Sequence, residues 1–315
     1  MNFNTNRTTK KILLALLLSI YLFVFVACGA AMGSKTDNAT ATSVYPLTIT
    51  DDLGNQVVID KAPQRIVSSS PSITEILFAL GLGDSIVGVS NSCDYPEEAQ
   101  SKPQLFDFAG PNIEGLLSAK PDIILSDVAY GIPEDTMTIL KNSNVTIVLM
   151  TYNSVDDVLD NILLIGQITD KNKEADLLVK KISADIDSVA AKAKKQPQKS
   201  VFINIGDLYT TGANTYMDDM LNKLGAKNIA AEAGQGWLQL PVETLLEKDP
   251  DVYIDISVQN NGDMPADPLL SNLSAIQKKH YATYAFSSNE TSLLSRPGPR
   301  VAEALQLLYD TIFEK

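Results

Sequence analysis

Apolar residues between Asn112 and Asp127 (NIEGLLSAKPDIILSD) sit first at helical spacing and then in an unbroken run, and the switch falls at a proline. Pro121 has no N–H to donate and its ring blocks the preceding turn, so a short amphipathic helix ends there and a fully apolar strand follows. The pattern recurs between Val242 and Ser257 (VETLLEKDPDVYIDIS). Glu114 aligns with Glu243, Leu116-Leu117 with Leu245-Leu246 and Pro121-Asp122 with Pro250-Asp251, every pair 129 residues apart. A helix-then-strand unit repeated in register marks an internally duplicated α/β chain.

A second pair supports the duplication. Thr74–Val89 and Met217–Ala231 each contain a helix closing on Leu-Gly, at Leu80-Gly81 and Leu224-Gly225. Glycine after the last apolar turn is a helix stop, because the left-handed cap conformation costs it little. These glycines lie 144 residues apart, so the first copy holds fifteen more residues between its two elements than the second. The surplus is assigned to Asn91–Gly110, a loop-rich insert of the kind in which ligands are met.

Leu47–Ile59 alternates around Asp52-Leu53-Gly54-Asn55 and predicts a β-hairpin. Arg65–Ser69 predicts a strand and Ile73–Leu80 a helix, with Ser72 as N-cap and Glu75 completing a capping box. Ser70 and Ser72 also stand where hydroxyls at a strand's carboxyl end can meet a ligand, capping being the plainer role. Val145–Met150 reads as a strand, and Ser154–Ile168 and Lys171–Lys195 as helices, the second N-capped by Asp170. At about 1.5 Å per residue, its 25 residues span roughly 37 Å, enough to bridge two lobes. Lys199–Ile205 opens the second lobe as a strand. Val301–Phe313, packed by Leu305, Leu308 and Ile312 and preceded by Pro299, closes the chain as a helix.

Ahead of this body, Lys10 and Lys11 precede the apolar run Ile12–Ala27, the layout of an export signal and too short for a membrane span. Phe25-Val26-Ala27-Cys28 resembles a bacterial lipobox, with Phe25 in place of the usual leucine, and implies an N-terminal lipid on Cys28. An uncleaved anchor, or a plain signal with an incidental cysteine, is the other reading. Gly29–Pro46 is small and polar without apolar period and reads as a tether. The expected division is signal 1–27, tether 28–46, N-terminal lobe 47–169, linking helix 170–196 and C-terminal lobe 197–315.

Composition then works by exclusion. The chain holds 25 Lys and Arg against 38 Asp and Glu, and Arg7, Lys10 and Lys11 fall in the signal, so the mature part carries a net −16. A surface that acidic repels phosphate backbones, and no nucleic acid partner is expected. With Cys28 lipidated, Cys93 is the remaining cysteine, no intrachain disulfide forms, and a buried small residue is its ordinary role. His280 is the single histidine, which excludes clusters of several imidazoles; a surface position is its ordinary reading. Gly81-Leu82-Gly83 begins like a dinucleotide fingerprint but leaves a helix for a strand, the reverse of that site. Neither a GxxxxGK[ST] loop nor a G-x-S-x-G elbow occurs, and no metal or catalytic set is expected.

Arg65–Gly81, Ile86–Pro96 (IVGVSNSCDYP), the NIEGLLSAKPDIIL block, the long helix and Arg296-Pro297-Gly298-Pro299-Arg300 occur in that order. Together they resemble the helical-backbone class of ABC-transporter solute-binding proteins, whose members handle cobalamin, iron siderophores and haem. The resemblance runs from about Val57 to the C-terminus. It implies an α/β fold of two Rossmann-like lobes with parallel-type sheets joined by one long α-helix, a ligand cleft between the lobes, and small closure motions. It further implies a monomer that is not an enzyme and has no resident cofactor. Such a protein carries a small metal chelate to a dimeric ABC permease, lipid-anchored on the extracytoplasmic side of the membrane.

In that class one exposed glutamate on top of each lobe docks into arginine pockets of the permease, and those positions fall on Glu114 and Glu243. Two carboxylates on pseudo-symmetric helices suit a two-fold partner, although acidic residues are also favoured in any first helical turn. Asp94-Tyr95-Pro96, Phe108 and Trp237-Leu238-Gln239 place aromatic-bearing loops at corresponding points of the lobes, where flat faces suit a large planar ligand. In the cobalamin-binding branch aromatic cleft residues fall where Phe108 and Trp237 stand, while another is replaced here by Ser92. The expected ligand is a corrinoid, held by Ser70, Tyr95, Phe108, Trp237, Gln239 and Arg296. The alternatives are a ferric siderophore, drawing on Arg296 and Arg300, haem, with Tyr95 or Met264 as axial ligand, and last an exported α/β enzyme, for which one histidine leaves a thin inventory. Tyr95 as a turn residue and Trp237 as cover for the core are the plainer readings.

Overall fold

The computed structural model describes residues 44–107, 109–263 and 268–314. The lipidation expected at Cys28 and the side chains of Phe108 and Met264 lie outside them. β1 (Leu47–Thr50) and β2 (Gln56–Ile59) form the expected hairpin, its turn held by Asp51, whose carboxylate accepts from the N–H groups of Leu53 and Asn55. β3 (Ile66–Ser68), α1 (Pro71–Ala79), β4 (Ile86–Ser90), β5 (Gln104–Asp107) and β6 (Gly110–Pro111) follow. Next come α2 (Ile113–Ala119), β7 (Ile123–Asp127), α3 (Glu134–Asn142), β8 (Thr146–Met150), α4 (Val155–Ile168) and α5 (Asn172–Ala193). The second half runs β9 (Ser200–Asn204), β10 (Tyr209–Thr211), α6 (Tyr216–Lys223), β11 (Lys227–Asn228), β12 (Trp237–Gln239) and α7 (Val242–Lys248). β13 (Val252–Val258), α8 (Ser274–Gln277), β14 (Tyr281–Ala285), α9 (Asn289–Ser295) and α10 (Val301–Phe313) complete it.

The first lobe is built on a six-stranded sheet ordered β6-β5-β4-β3-β7-β8, parallel except for β6. The second is built on the parallel sheet β11-β9-β13-β14. β3 and β7 are buried along their whole length, which is why their apolar residues are consecutive, Ile66-Val67 and Ile123-Ile124-Leu125, rather than alternating. The duplication extends to fine detail. Both short helices end on a residue in the left-handed region, Lys120 (φ 46°) and Asp249 (φ 40°), 129 residues apart like the prolines after them. The aspartate after each proline staples the start of a neighbouring strand. Asp122 Oδ2 accepts from the N–H groups of Gln64 (2.8 Å) and Arg65 (3.0 Å), and Asp251 Oδ2 from that of Ser200 (2.8 Å).

One apolar core runs through both lobes. Ile66 and Ile123 of the first sheet and Val201 and Ile254 of the second belong to a single cluster with Ile162, Ile182, Met220 and Leu305 of the helices. α5 packs on α4 of the first lobe and on α10 of the second. A second bridge joins α4 to α6, where Asp219 Oδ2 accepts from Val155 N–H at 2.9 Å and Lys223 pairs with Asp156 at 3.0 Å. The outer face of each sheet has its own smaller cluster, around Leu116 and Leu140 in one lobe and Leu245 and Tyr253 in the other.

Three local expectations are corrected. Asn91–Gly110 is not merely loop, because Gln104–Asp107 hydrogen-bonds to β4 and adds β5 to the sheet, burying Leu105 and Phe106. Asp170 does not cap α5. It sits at φ 57° in the corner after α4, where Lys171 N–H returns to the Gly166 carbonyl at 2.7 Å, and α5 starts without a side-chain cap. The box expected at Ser72 and Glu75 is absent. Pro71 is tolerated in the first turn, so α1 begins earlier than the apolar spacing suggests and Ser70 is the N-cap.

Candidate functional site

In both sheets the chain leaves a central strand in two directions: β3 lies between β4 and β7, and β9 between β11 and β13. At such switch points the loops after the carboxyl ends diverge and leave a crevice suited to a ligand. The first lobe sends Asn91–Pro96 and Asp127–Tyr130 to this side, and the second sends the β10–β12 ribbon and Phe286, just past β14.

Where the lobes meet, two arginines of the second lobe are matched with two carboxylates of the first. Arg300 donates to Glu75 through Nε (2.8 Å) and Nη2 (2.7 Å) in a planar fork, and through Nη1 to Asn289 Oδ1 at 2.9 Å. Glu75 is 1% exposed, and a buried carboxylate needs a counter-ion more than α1 needs a second capping bond. Burial opposes the charge on Arg300, yet Glu75 raises its pKa above the usual value. The Arg300 guanidinium lies 4.0 Å from the Tyr95 ring centroid and so takes up one face of that ring. Arg296 engages Asp94 through both Nη atoms, Nη2 to Oδ2 at 3.2 Å, and donates to the Ser92 carbonyl at 3.3 Å. The hydrogen bond from Arg296 holds the Asp94 carboxyl below the ordinary carboxylate range.

Behind these groups the first-lobe wall is buried and polar. The carboxylate of Asp127, at the end of β7, accepts from the N–H of Ala129, and burial pushes its pKa up to about 6. Burial likewise lifts Tyr130 to about 12. Cys93 is buried with Sγ 3.2 Å from Thr74 Oγ1, the structural role expected of it.

The expected ligand residues are thus brought together unevenly. Ser70 is fully buried and its hydroxyl accepts from Ile73 N–H at 3.5 Å, which gives it the role of N-cap to the helix after β3. Trp237 is 59% exposed. It sits on β12, whose middle residue Leu238 packs inward, so Trp237 and Gln239 share the outward face. Gln239 Nε2 donates to the Asp207 carbonyl at 2.8 Å and braces the ribbon. The ribbon is packed too tightly for a side chain at Gly212, where a Cβ would lie 2.5 Å from the Gly234 carbonyl oxygen. Two aromatics escaped the sequence reading. Tyr209 is the cross-strand partner of Gln239, and Phe286 is 76% exposed directly after β14. The alternation of Tyr209 with its neighbours carries that signal only once β10 is known to pair with β12.

Glu114 and Glu243 are both exposed at the second position of their helices, and neither has an ion-pair or hydrogen-bond partner among the described residues. Helices feeding parallel strands run opposite to them, so both glutamates lie toward the carboxyl ends of the sheets, on the side of the crevice. A separate depression on the α4–α5 face, lined by Leu163, Leu164, Gln167 and Ala175, gathers no aromatic groups and no arginine.

Comparison with known proteins gives a consistent result. The family model described as periplasmic binding protein matches residues 66–286. The chain is 34% identical over 308 residues to the uncharacterized ABC transporter substrate-binding lipoprotein YvrC of Bacillus subtilis (strain 168), covering 95% of both chains. It is 26% identical over 250 residues to the vitamin B12-binding protein of Yersinia pestis (strain Pestoides F), covering 79% of this chain and 86% of that one. A solved structure, of a possible iron-binding (periplasmic solute-binding) protein from Staphylococcus epidermidis ATCC 12228, superposes with a TM-score of 0.67 at 32% identity. That match covers 80% of this chain and 99% of the other.

Proposed function

From a chain that belongs to the periplasmic binding protein family, in its helical-backbone class, and is an ABC-transporter solute-binding protein rather than an enzyme, we propose that the cargo is a corrinoid. The observation carrying this is Trp237. A large aromatic left 59% exposed on a braced ribbon at the carboxyl ends of the second sheet is a flat surface with no use in the core. Tyr209 on the same ribbon, Tyr95 of the first lobe and Phe286, all exposed, add apolar area suited to a bulky macrocycle. The B12-binding relative supports the choice among the metal chelates that this class handles. Iron chelates and haem are the second reading, favoured by the structural neighbour, a possible iron-binding protein.

In this reading Cys28 carries the lipid that holds the protein at the extracytoplasmic face. Glu114 and Glu243 present two like charges to a two-fold permease, which would grip them with arginines in bidentate pairs. Trp237→Ala tests the cleft. Loss of stacking should weaken cyanocobalamin binding by about 1–3 kcal/mol, while an exposed site leaves unfolding free energy within about 0.5 kcal/mol of wild type. Unchanged affinity would assign Trp237 to the surface and sink the aromatic grip.

A further inference from the structure

We infer that Asp94 sets the charge preference of the cleft, by occupying Arg296 and so making the site select a macrocycle without free carboxylates over one that carries them. The inference rests on the reading of this crevice as the ligand site and concerns which chemistry it admits. Four charged side chains meet between the lobes, and they divide into two unlike pairs. Glu75 and Arg300 are 1% and 10% exposed, joined by two bonds of 2.8 and 2.7 Å. Buried that deeply, they clasp the lobes together, and neither can be lent to a ligand without stranding the other. Arg296 and Asp94 differ: the arginine is 15% exposed but its carboxylate partner is 58% exposed. Arg296 stands 3.7 Å from the nearer Glu75 oxygen, which Arg300 already engages at 2.7 Å, so Asp94 is the counter-ion that balances it.

The consequence is electrostatic. An unpaired guanidinium at this point would be the natural receptor for a propionate or another carboxylate, because the fork geometry matches and the charge, 15% exposed, is largely desolvated. Asp94 fills that fork. An anionic ligand must displace the aspartate and then lie beside its charge, whereas a ligand offering amides meets a neutral pair with lone pairs and N–H groups to spare. A device that rejects the wrong partner by occupying its site is specificity by exclusion. The aspartate adjoins Tyr95, whose ring stacks under Arg300, so the charge filter and part of the aromatic surface sit on one loop.

The test uses the full chain purified in detergent, titrated with cyanocobalamin and separately with haemin, a dicarboxylate. Asp94→Asn keeps the shape and removes the charge at a 58% exposed position, and chemical unfolding of the variant checks that Arg296, deprived of its counter-ion, leaves the fold intact. The expected result is an affinity for haemin raised about tenfold or more, an effect that shrinks with added salt, with cyanocobalamin affinity within about threefold of wild type. Asp94→Glu should return haemin to its wild-type weakness. Equal haemin affinity in wild type and Asp94→Asn, with cyanocobalamin still bound, overturns the role of Asp94 alone. Saturable binding of neither ligand by either protein overturns the reading of the crevice and this inference with it.

Discussion

Asp127 ends β7 at 7% exposure with its carboxylate accepting from the Ala129 N–H, and its environment has a measurable consequence. Its folded pKa of about 6 lies above the ordinary 3.8, so between these values the folded chain holds a proton that the unfolded chain releases. Stability therefore declines as pH rises through that window, and above it the folded state bears the full penalty of a buried charge. Asp127→Asn, which keeps the acceptor for Ala129, should stabilise the protein by about 1–3 kcal/mol at pH 7.5. The gain should fade as pH falls from about 6 to about 4, which chemical unfolding at several pH values would register. An advantage constant across that range would place the carboxyl in water. Glu75 shows where residue-level reading fails. Three residues after Ser72 it fits a capping box, and nothing local reveals that Arg300, 225 positions away, claims it. The exposure of Trp237 and the burial of Ser70 are likewise set by packing that neither residue's neighbours encode.

At the scale of elements, the Pro-Asp junctions do more than stop two helices. Asp122 and Asp251 each close the start of a neighbouring strand, so Asp122→Ala and Asp251→Ala should each cost about 1–2 kcal/mol in denaturant unfolding. The two losses should add, since the residues lie in different lobes. A change below about 0.3 kcal/mol would reduce the staples to incidental contacts. The same junctions explain why α2, β7, α7 and β13 were legible: a proline, an apolar run and a repeat all point to one boundary. β5 was not, because four residues with two polar ends give no period, and pairing with β4 decides them. The corner at Asp170 reads as a start in sequence because an aspartate before an amphipathic run looks like a cap. In fact α4 and α5 abut so closely that a Cβ on Gly166 would lie 2.4 Å from that of Ala175.

For the whole molecule, a single core through both lobes, a 22-residue helix packed on each half and a buried Glu75–Arg300 clasp favour a body that moves little on loading. Delivery must then be read from the surface, and Glu114 with Glu243 is the surface feature that the duplication repeats. If permease arginines grip these two carboxylates, replacing both by alanine should leave ligand affinity unchanged and lower uptake into cells at least about tenfold. Lost affinity would instead tie them to the crevice or the fold. The reading as a whole stands on the ligand. Calorimetric titration of the full chain in detergent with cyanocobalamin, haemin and a ferric siderophore, alongside the fluorescence of the single tryptophan, Trp237, decides it most directly. The account predicts saturable one-site binding of cyanocobalamin with quenching of Trp237, and weaker binding of the other two. Saturation by haemin or the siderophore, with no heat and no quenching from cyanocobalamin, would contradict it.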